Sequence, residues 1–116
     1  MYRHILVPVD GTELSTHTAT QAVALASEVK ARITFLYATP DFSATSDGAL
    51  MIAVAPEKFA ERALGDTHAI LAKSMQIAQK RNVPCNCENK VTDRPYEAII
   101  GIALQKGCDL IFMASH

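Results

Sequence analysis

The sequence predicts an α/β domain built on a parallel sheet, and two apolar runs are the main evidence. The first run is Ile5–Val9, which ends abruptly at Asp10, and the second occupies residues 109–116. Apolar runs of this length, bounded by polar turn residues, are typical of parallel strands buried on both faces. Amphipathic helical patterns separate the predicted strands, so the two types of element alternate along the chain. We therefore expect residues 109–116 to form a strand that is covered on both faces.

Composition indicates a single ordinary globular domain. A chain of 116 residues is long enough for one core and too short for two. Eleven basic and twelve acidic side chains leave a net charge of -1. Overall electrostatics therefore favours neither nucleic acid nor an anionic membrane as partner, although net charge says nothing about local patches.

The chain start and the cysteines predict a cytoplasmic protein. Residues 1–3 lead directly into the first strand without a signal-peptide pattern, and no apolar run reaches the 18 residues of a membrane span. Three cysteines are too few, and odd in number, for a secreted disulfide framework. Cys85 and Cys87 lack further soft ligands nearby in sequence, so we expect packed or half-exposed thiols and no metal site.

The first half of the chain predicts a right-handed βαβ unit. Residues 14–30 form an amphipathic helix with Thr18 on the solvent side, and residues 32–38 form the second strand. The side chains expected inside on this helix are Ala19, Ala22, Val23, Ala26 and Val29. Residues 39–56 follow as an irregular connection, for which a mobile loop and a lid or partner surface both stay open.

The second half of the chain continues the alternation of helices and strands. Pro56 starts a long helix that reaches about Asn82 and is followed by a mixed strand at residues 83–91, where Pro84 indicates an edge. The face of this helix predicted to be inside carries Ala60, Leu64, Thr67, Leu71, Met75 and Ala78. A third helix, capped by Thr92 or Asp93 and stopped by Gly107, turns Ala98, Ile99, Ile102 and Ala103 inward.

Asp10-Gly11-Thr12, at the end of the first strand, is the candidate functional motif. Open α/β sheets bind ligands at this end of their strands. Spacing alone leaves two interpretations open: a ligand site, or residues that only cap the next helix. The turn has neither the glycines of a dinucleotide fingerprint nor the glycine and lysine of a P-loop. A dehalogenase-type phosphatase would need a nucleophilic carboxylate at position 8, where this chain has Pro8.

The chain resembles the universal stress protein family over essentially its whole length. The residues that carry the resemblance are Ile5-Leu-Val-Pro-Val-Asp-Gly-Thr-Glu-Leu-Ser15, Leu36-Tyr-Ala-Thr-Pro40 and Cys108-Asp-Leu-Ile-Phe-Met-Ala-Ser-His116. The resemblance implies a doubly wound, Rossmann-like parallel sheet related to adenine nucleotide α-hydrolase folds. It also implies the strand order 3-2-1-4, with a fifth strand beyond this chain.

The resemblance further implies a site for ATP or a related adenine nucleotide, with Mg²⁺ as a candidate companion ion. By position, Pro8, Val9 and Asp10 would line the adenine side, and Ala38 would form a wall behind the base. Thr12 would lie near the phosphates, and Met113 and Ala114 would approach the nucleotide through backbone atoms. The complete set implied for the nucleotide is Pro8, Val9, Asp10, Thr12, Ala38, Met113, Ala114, Ser115 and His116.

ATP-binding members of the family hold the phosphates in a glycine loop that would begin just after His116, and that loop is absent from this sequence. We therefore expect residues 1–116 to be one domain that is incomplete at its C-terminus. The resemblance implies a homodimeric regulator with an unknown protein partner, in which the nucleotide acts as a switch. A nucleotide-independent interaction module of the same family is the alternative. No residue pairs as a catalytic base or nucleophile, and an enzyme of the related hydrolase-like folds would need a different first loop.

Overall fold

A computed structural model describes residues 3–39, 53 and 55–114, which form a parallel sheet with helices on both faces. The elements are β1 (His4–Val9), α1 (Glu13–Val29), β2 (Arg32–Thr39), α2 (Pro56–Lys80), β3 (Cys85–Val91), α3 (Pro95–Lys106) and β4 (Leu110–Ile111). The strands lie in the order β3-β2-β1-β4, which confirms the predicted order. Residues 40–52 and 54 of the predicted connection lie outside the described residues.

Alternating side chains of β1 enter two different cores. Ile5, Val7 and Val9 face α1 and α2, whereas Leu6 lies on the opposite side with Leu36 of β2, beneath α3. Both sides of β1 are thus covered, and this explains why its sequence is apolar without a polar alternation. The predicted inward side chains of α3, which are Ala98, Ile99, Ile102 and Ala103, are all buried.

Helix α1 begins and ends as its sequence predicts, with one error on its surface. The Thr12 side chain caps the helix by accepting a hydrogen bond from the Ser15 amide, and Lys30 ends it in the left-handed conformation. Thr18 was predicted to face solvent but is buried. Its hydroxyl donates to the Leu14 carbonyl at 2.9 Å, so the polar group is satisfied within the helix and the side chain can pack inside.

Among the described side chains of α2, those that pack against the core lie in the second half of the helix. Ile70 and Leu71 pack against the core, and Ala78 is fully buried. Leu64 was predicted to lie on the inner face, but 58% of it is exposed. The helical period is right, and the error arises because periodicity does not show where along its length a helix leaves the sheet. The side chain of Ala60 lies outside the described residues.

Helix α3 starts differently from its prediction. Arg94 is the N-cap residue and makes no side-chain capping bond. The Thr92 hydroxyl accepts a hydrogen bond from the Arg94 amide at 3.0 Å, so it supports the turn that precedes the helix and does not cap the helix itself. The end is as predicted, because Gly107 adopts the left-handed conformation with a φ of 68°.

The fourth strand is much shorter and more exposed than predicted. Its ladder with β1 joins only Leu110 to Ile5 and Ile111 to Leu6, instead of spanning residues 109–116. Ile111 is 37% exposed and Met113 is 41% exposed, so the prediction of burial on both faces was wrong. β4 lies at the edge of the described sheet, where β1 alone pairs with it.

A series of side-chain hydrogen bonds links three neighbouring strands beneath α3. His4 is the first residue of β1, one position before the apolar run, and it is only 4% exposed. Its Nε2 atom lies 2.6 Å from the Thr34 hydroxyl, which donates to Asn86 at 2.6 Å. The other ring nitrogen, Nδ1, lies 3.2 Å from the Lys106 carbonyl, so α3 is tied to the amino end of β1.

The three cysteines are free, half-buried thiols. Cys85 and Cys87 pack against the core beneath α1 and α2, in agreement with their predicted shared face. Burial, reinforced by Cys85 and then by Glu88, raises the pKa of Cys87 to about 11. Within the described ranges, no three His, Cys, Asp or Glu side chains are grouped so that they could hold a metal ion.

No helix in the part of the chain that the structure describes is both long enough and apolar enough to cross a membrane.

Candidate functional site

A cavity of about 290 Å³ opens at the carboxyl ends of β1 and β2, beside the start of α3. It lies next to the boundary between β1 and β4, where the chain switches from one side of β1 to the other. Open α/β sheets bind ligands at such switch points. The lining consists of Pro8, Val9, Asp10, Ser15, Leu36, Ala38, Pro95, Tyr96, Ile99, Met113 and Ala114.

Pro8 explains why the sheet opens at this point. In the ladder between β1 and β4, the Phe112 amide donates to the Leu6 carbonyl at 2.9 Å. The next bond of a parallel ladder would run from the amide of residue 8 to the Phe112 carbonyl. Proline has no N–H, so that bond cannot form and the ladder stops. Met113 and Ala114 therefore border the cavity instead of continuing β4.

A hydrogen-bonded corner of Asp10, Thr12 and Ser15 forms the polar end of the cavity. The Thr12 amide and hydroxyl both donate to Asp10 Oδ1, at 3.0 and 2.6 Å. The Ser15 amide donates to the Thr12 hydroxyl at 3.1 Å, and the Asp10 amide donates to the Ser15 hydroxyl at 3.0 Å. The capping interpretation of this motif is thus correct for Thr12, and Asp10 orients that cap.

Gly11 is required by the shape of this turn. Its φ of 83° is in the left-handed region that side chains disfavour. A Cβ atom at this position would also lie 2.9 Å from Cδ1 of Ile70 on α2. The positive φ is therefore the main reason for glycine at this position, because Cδ1 of Ile70 is the end of a flexible side chain that could move aside.

The walls of the cavity are mainly apolar, and its rim is aromatic. Leu36 and Ile99 are buried beneath it, and Tyr96 lies 71% exposed at its edge. An apolar slot with one carboxylate at its end suits a flat ring that carries a neighbouring hydroxyl or amino group.

Nearby on the other side of β2, burial raises the pKa of Tyr37, and the charges of Asp66 and Asp10 raise it further.

A smaller cavity lies on the other side of the end of β1, between α1 and α2. Its volume is about 160 Å³, and Val9 and Ser15 belong to both cavities. Lys73 is the cation that borders it. Drug-sized ligands occupy pockets of roughly 300–1,000 Å³, so this smaller space does not suit a nucleoside, whereas the first cavity is close to the lower limit.

The structure brings together six of the nine residues predicted to form the site: Pro8, Val9, Asp10, Ala38, Met113 and Ala114. Thr12 does not line the cavity but is bonded to Asp10. Ser115 and His116 lie outside the described residues. Five further residues line the cavity although no site role was predicted for them: Ser15, Leu36, Pro95, Tyr96 and Ile99. The predicted topology could have indicated Pro95 and Tyr96, because they start a helix that follows a parallel strand, and such a helix starts at the carboxyl end of the sheet.

Comparison with known proteins places this geometry in context. The model of the universal stress protein family matches residues 1–116. A member of that family from Burkholderia pseudomallei is similar with a TM-score of 0.76 and 22% identity, covering 99% of this chain and 83% of that chain. UspA from Lactobacillus plantarum is similar with a TM-score of 0.68 and 25% identity, over 97% and 76%.

A further similar structure is that of a universal stress protein in complex with cAMP. Its TM-score is 0.68 and its identity 20%, and the match covers 95% of this chain and 74% of that chain. No curated protein matches the chain.

Proposed function

Because this chain belongs to the universal stress protein family, we propose that the cavity at the carboxyl ends of β1 and β2, which we call the nucleotide cavity, binds ATP or a related adenine nucleotide as a regulatory switch in the stress response. The observation that carries the proposal is the cavity itself, an apolar slot that ends at Asp10 at the switch point of the sheet. The similar structure with bound cAMP supports an adenine ligand for this fold.

In this proposal the cavity accepts the adenosine part of the nucleotide. Pro8, Val9 and Ala38 contact the base, and the Asp10 carboxylate accepts a hydrogen bond from the ribose or the base amino group. A volume of about 290 Å³ suits a nucleoside better than a whole triphosphate. The phosphates would then extend past Thr12, at the N-terminus of α1, where the helix dipole favours negative charge.

A bound Mg²⁺ would be held mainly by the phosphates of the nucleotide. Asp10 is the one carboxylate among the described residues that line the cavity, and no metal-binding group of three side chains is present in the described part of the chain. Mg²⁺ commonly keeps several waters and binds through one or two carboxylates together with substrate phosphates. The donors present therefore fit Mg²⁺ only as a companion of ATP.

The role we propose is regulatory and not catalytic. No histidine is among the described residues that line the cavity. The Ser15 hydroxyl accepts a hydrogen bond from the Asp10 amide, and the Asp10 carboxylate accepts hydrogen bonds from Thr12. A nucleophilic mechanism needs a base aligned with the nucleophile, and we propose no such role for Asp10.

Calorimetric titration of ATP and of adenosine tests the proposal. Ala38→Leu fills the cavity without touching the capping bonds of Asp10, whereas Asp10→Ala removes the carboxylate. We expect each variant to weaken both ligands by about tenfold or more, because Asp10→Ala loses a charge-assisted hydrogen bond and the larger side chain in Ala38→Leu occupies the space of the base. Glu28→Ala is the control, since Glu28 is an exposed carboxylate near the other end of α1 that does not line the cavity. Unchanged affinity in Ala38→Leu would contradict the proposed position of the base.

A second candidate function is the interaction module, for which we propose a homodimer. The outer face of α3 carries Tyr96, Ile100 and Leu104, which are 71%, 55% and 80% exposed. These residues are four apart and form one apolar stripe, and Ile111 on the edge strand β4 is also exposed. An exposed apolar stripe together with an apolar strand edge suits a second copy of the same surface.

Sedimentation velocity tests the dimer. Leu104→Glu should shift the protein from dimer to monomer, because a carboxylate would be buried in an apolar contact. Gln105→Glu introduces the same charge at the neighbouring position of α3, outside the stripe, and should leave the dimer intact. A monomeric unaltered protein, or dimers in both variants, would exclude this surface.

A further inference from the structure

A basic cavity borders the amino ends of the strands, at the opposite end of the sheet from the nucleotide cavity. Its volume is about 360 Å³, and it lies between the loops that lead into β2 and β3. The lining consists of Arg3, Ala26, Ser27, Lys30, Ala31, Arg32, Arg81, Asn82, Val83 and Pro84. β1 has six residues and therefore separates the two cavities by about 20 Å.

Four of the residues that line this cavity are cations, and none is an anion. Arg3, Lys30, Arg32 and Arg81 are all exposed, and within the described part of the chain none of them forms an ion pair with a carboxylate. The Asp109 carboxylate does not line the cavity, and its oxygens accept hydrogen bonds from the Arg3 and His4 backbone amides. The side-chain charge around the cavity is therefore not neutralised by salt bridges.

The negative ends of two helix dipoles offset only a part of this positive charge. Lys30 and Arg81 are the C-cap residues of α1 and α2, so both helices end at the cavity. A helix C-terminus is equivalent to roughly half a negative charge, and two of them offset about one of the four cations. Capping alone would thus explain about one of the four basic residues, and about three positive charges remain.

We propose that this cavity binds an oligophosphate group. Three of the four cations are arginines, whose planar guanidinium groups suit bidentate contacts with phosphate oxygens. Two linked phosphates carry roughly three to four negative charges at pH 7, which matches the remaining positive charge. The uncharged donors of Ser27 and Asn82 also line the cavity and can bind further oxygens. Its concave shape favours a small anion over the surface of a membrane or a duplex.

The group could be a free oligophosphate or the phosphate chain of a nucleotide. Tripolyphosphate is the first probe, and isothermal calorimetry is the measurement. The test variant is Arg32→Gln/Arg81→Gln, because both side chains are exposed and lie on different elements. We expect saturable binding that weakens by at least about tenfold in this variant, as charge-assisted hydrogen bonds are lost. Binding should also weaken with rising salt.

A matched control separates this site from overall charge. Lys90→Gln/Arg94→Gln removes two exposed cations elsewhere and should leave the affinity unchanged; the pair of Arg94 with Glu97 is exposed and contributes little. Circular dichroism checks the fold of each variant. Lys30→Asn is a second test, because asparagine tolerates the left-handed conformation that Lys30 adopts. No saturable binding by the unaltered protein, or equal losses in test and control variants, would overturn the proposal.

Ala38→Leu distinguishes the two sources of phosphate and keeps this test apart from the nucleotide proposal. It fills the cavity at the other end of the sheet, so tripolyphosphate should bind this variant as it binds the unaltered protein. If ATP also binds the variant and depends on Arg32 and Arg81, the site accepts the phosphate chain of a nucleotide. If only tripolyphosphate binds, the site is specific for free oligophosphate. Both results support the site, whereas loss of tripolyphosphate binding in Ala38→Leu would place the anion in the nucleotide cavity.

Discussion

Asp109 and His4 are hydrogen-bonded to each other in both directions. The Asp109 amide donates to the His4 carbonyl at 2.9 Å, and the Asp109 carboxylate accepts from the His4 amide at 3.1 Å. The second carboxylate oxygen accepts from the Arg3 amide at 2.9 Å. We call these three hydrogen bonds the bracket. Because the ladder between β1 and β4 has only two residue pairs, the bracket makes up a large part of the backbone connection between these strands.

Asp109→Asn is expected to lower the melting temperature and loosen β4. The amide replaces one acceptor oxygen with a donor, so one of the two backbone amides loses its partner. Hydrogen exchange should become faster at Leu110 and Phe112, which lie next to the bracket. Glu28→Gln on the exposed face of α1 is the control and should change neither. Unchanged exchange at Phe112 in Asp109→Asn would contradict the role of the bracket.

The stabilisation by Asp109 should disappear in acid. Hydrogen bonds from the amides of Arg3 and His4 hold the pKa of Asp109 below its ordinary value of 3.8. A lowered carboxylate pKa stabilises the fold above the ordinary value, and this contribution is lost as pH falls through the lowered pKa. The difference in melting temperature between the unaltered protein and Asp109→Asn should therefore shrink as pH falls below about 4.

His4 predicts a dependence of stability on pH with the same sign, in a higher pH range. Burial lowers the pKa of His4 below 6.5, and the charge of Arg32 lowers it further. Between the lowered pKa and 6.5 the unfolded chain binds more protons, so the free energy of unfolding rises with pH and levels off above 6.5. His4→Gln should lose this part of the pH dependence in urea denaturation. An unchanged slope would show that His4 titrates alike in both states.

Arg32→Gln tests the electrostatic part of this shift separately. Removing the guanidinium charge should raise the pKa of His4, because Arg32 disfavours a second positive charge nearby. The ring proton shifts of His4, followed by NMR over pH, give the value directly. Lys90→Gln removes a cation on β3 that is not among the causes of the His4 shift, and it should leave the pKa unchanged.

Periodicity was enough to predict the elements and most of the core, but not their limits. The inward side chains of α3 were all correct because a short helix that lies wholly on a sheet obeys one period. Leu64 was wrong because the helical period indicates which face of α2 is apolar but not which turns of that face reach the core. Thr18 was wrong because a hydroxyl bonded to its own helix can be buried as readily as a small apolar group.

The nucleotide cavity and the basic cavity differ in how far the sequence could predict them. Asp10 and Pro8 stand in one contiguous sequence motif, so the sequence alone could indicate where the nucleotide cavity lies. The basic cavity had none, because its cations come from four separate element ends, of which Lys30 and Arg81 are examples 51 positions apart. Only the fold brings them together, and a net charge of -1 conceals them.

Substitution of Gly11 and of Gly65 by alanine should have opposite effects on stability. Gly11 has a positive φ and a close neighbour in Ile70, so Gly11→Ala should lower the free energy of unfolding by about 1–2 kcal/mol. Gly65 lies within α2 with nothing near its Cβ position, so Gly65→Ala should raise it by about 0.5–1 kcal/mol. Urea denaturation measures both. Equal shifts in one direction would contradict the left-handed turn at Gly11.

Pro8→Ala tests whether a missing backbone donor ends the sheet beside the nucleotide cavity. The new amide of residue 8 lies where the next bond of the ladder would reach the Phe112 carbonyl, as the bond from the Phe112 amide to Leu6 indicates. It should therefore exchange with solvent slowly, by at least about tenfold relative to an exposed amide. Pro95→Ala is the control, because an amide at the first position of α3 has no acceptor within the helix. If the two new amides exchange at the same rate, Pro8 is not the reason why β4 stops at Ile111.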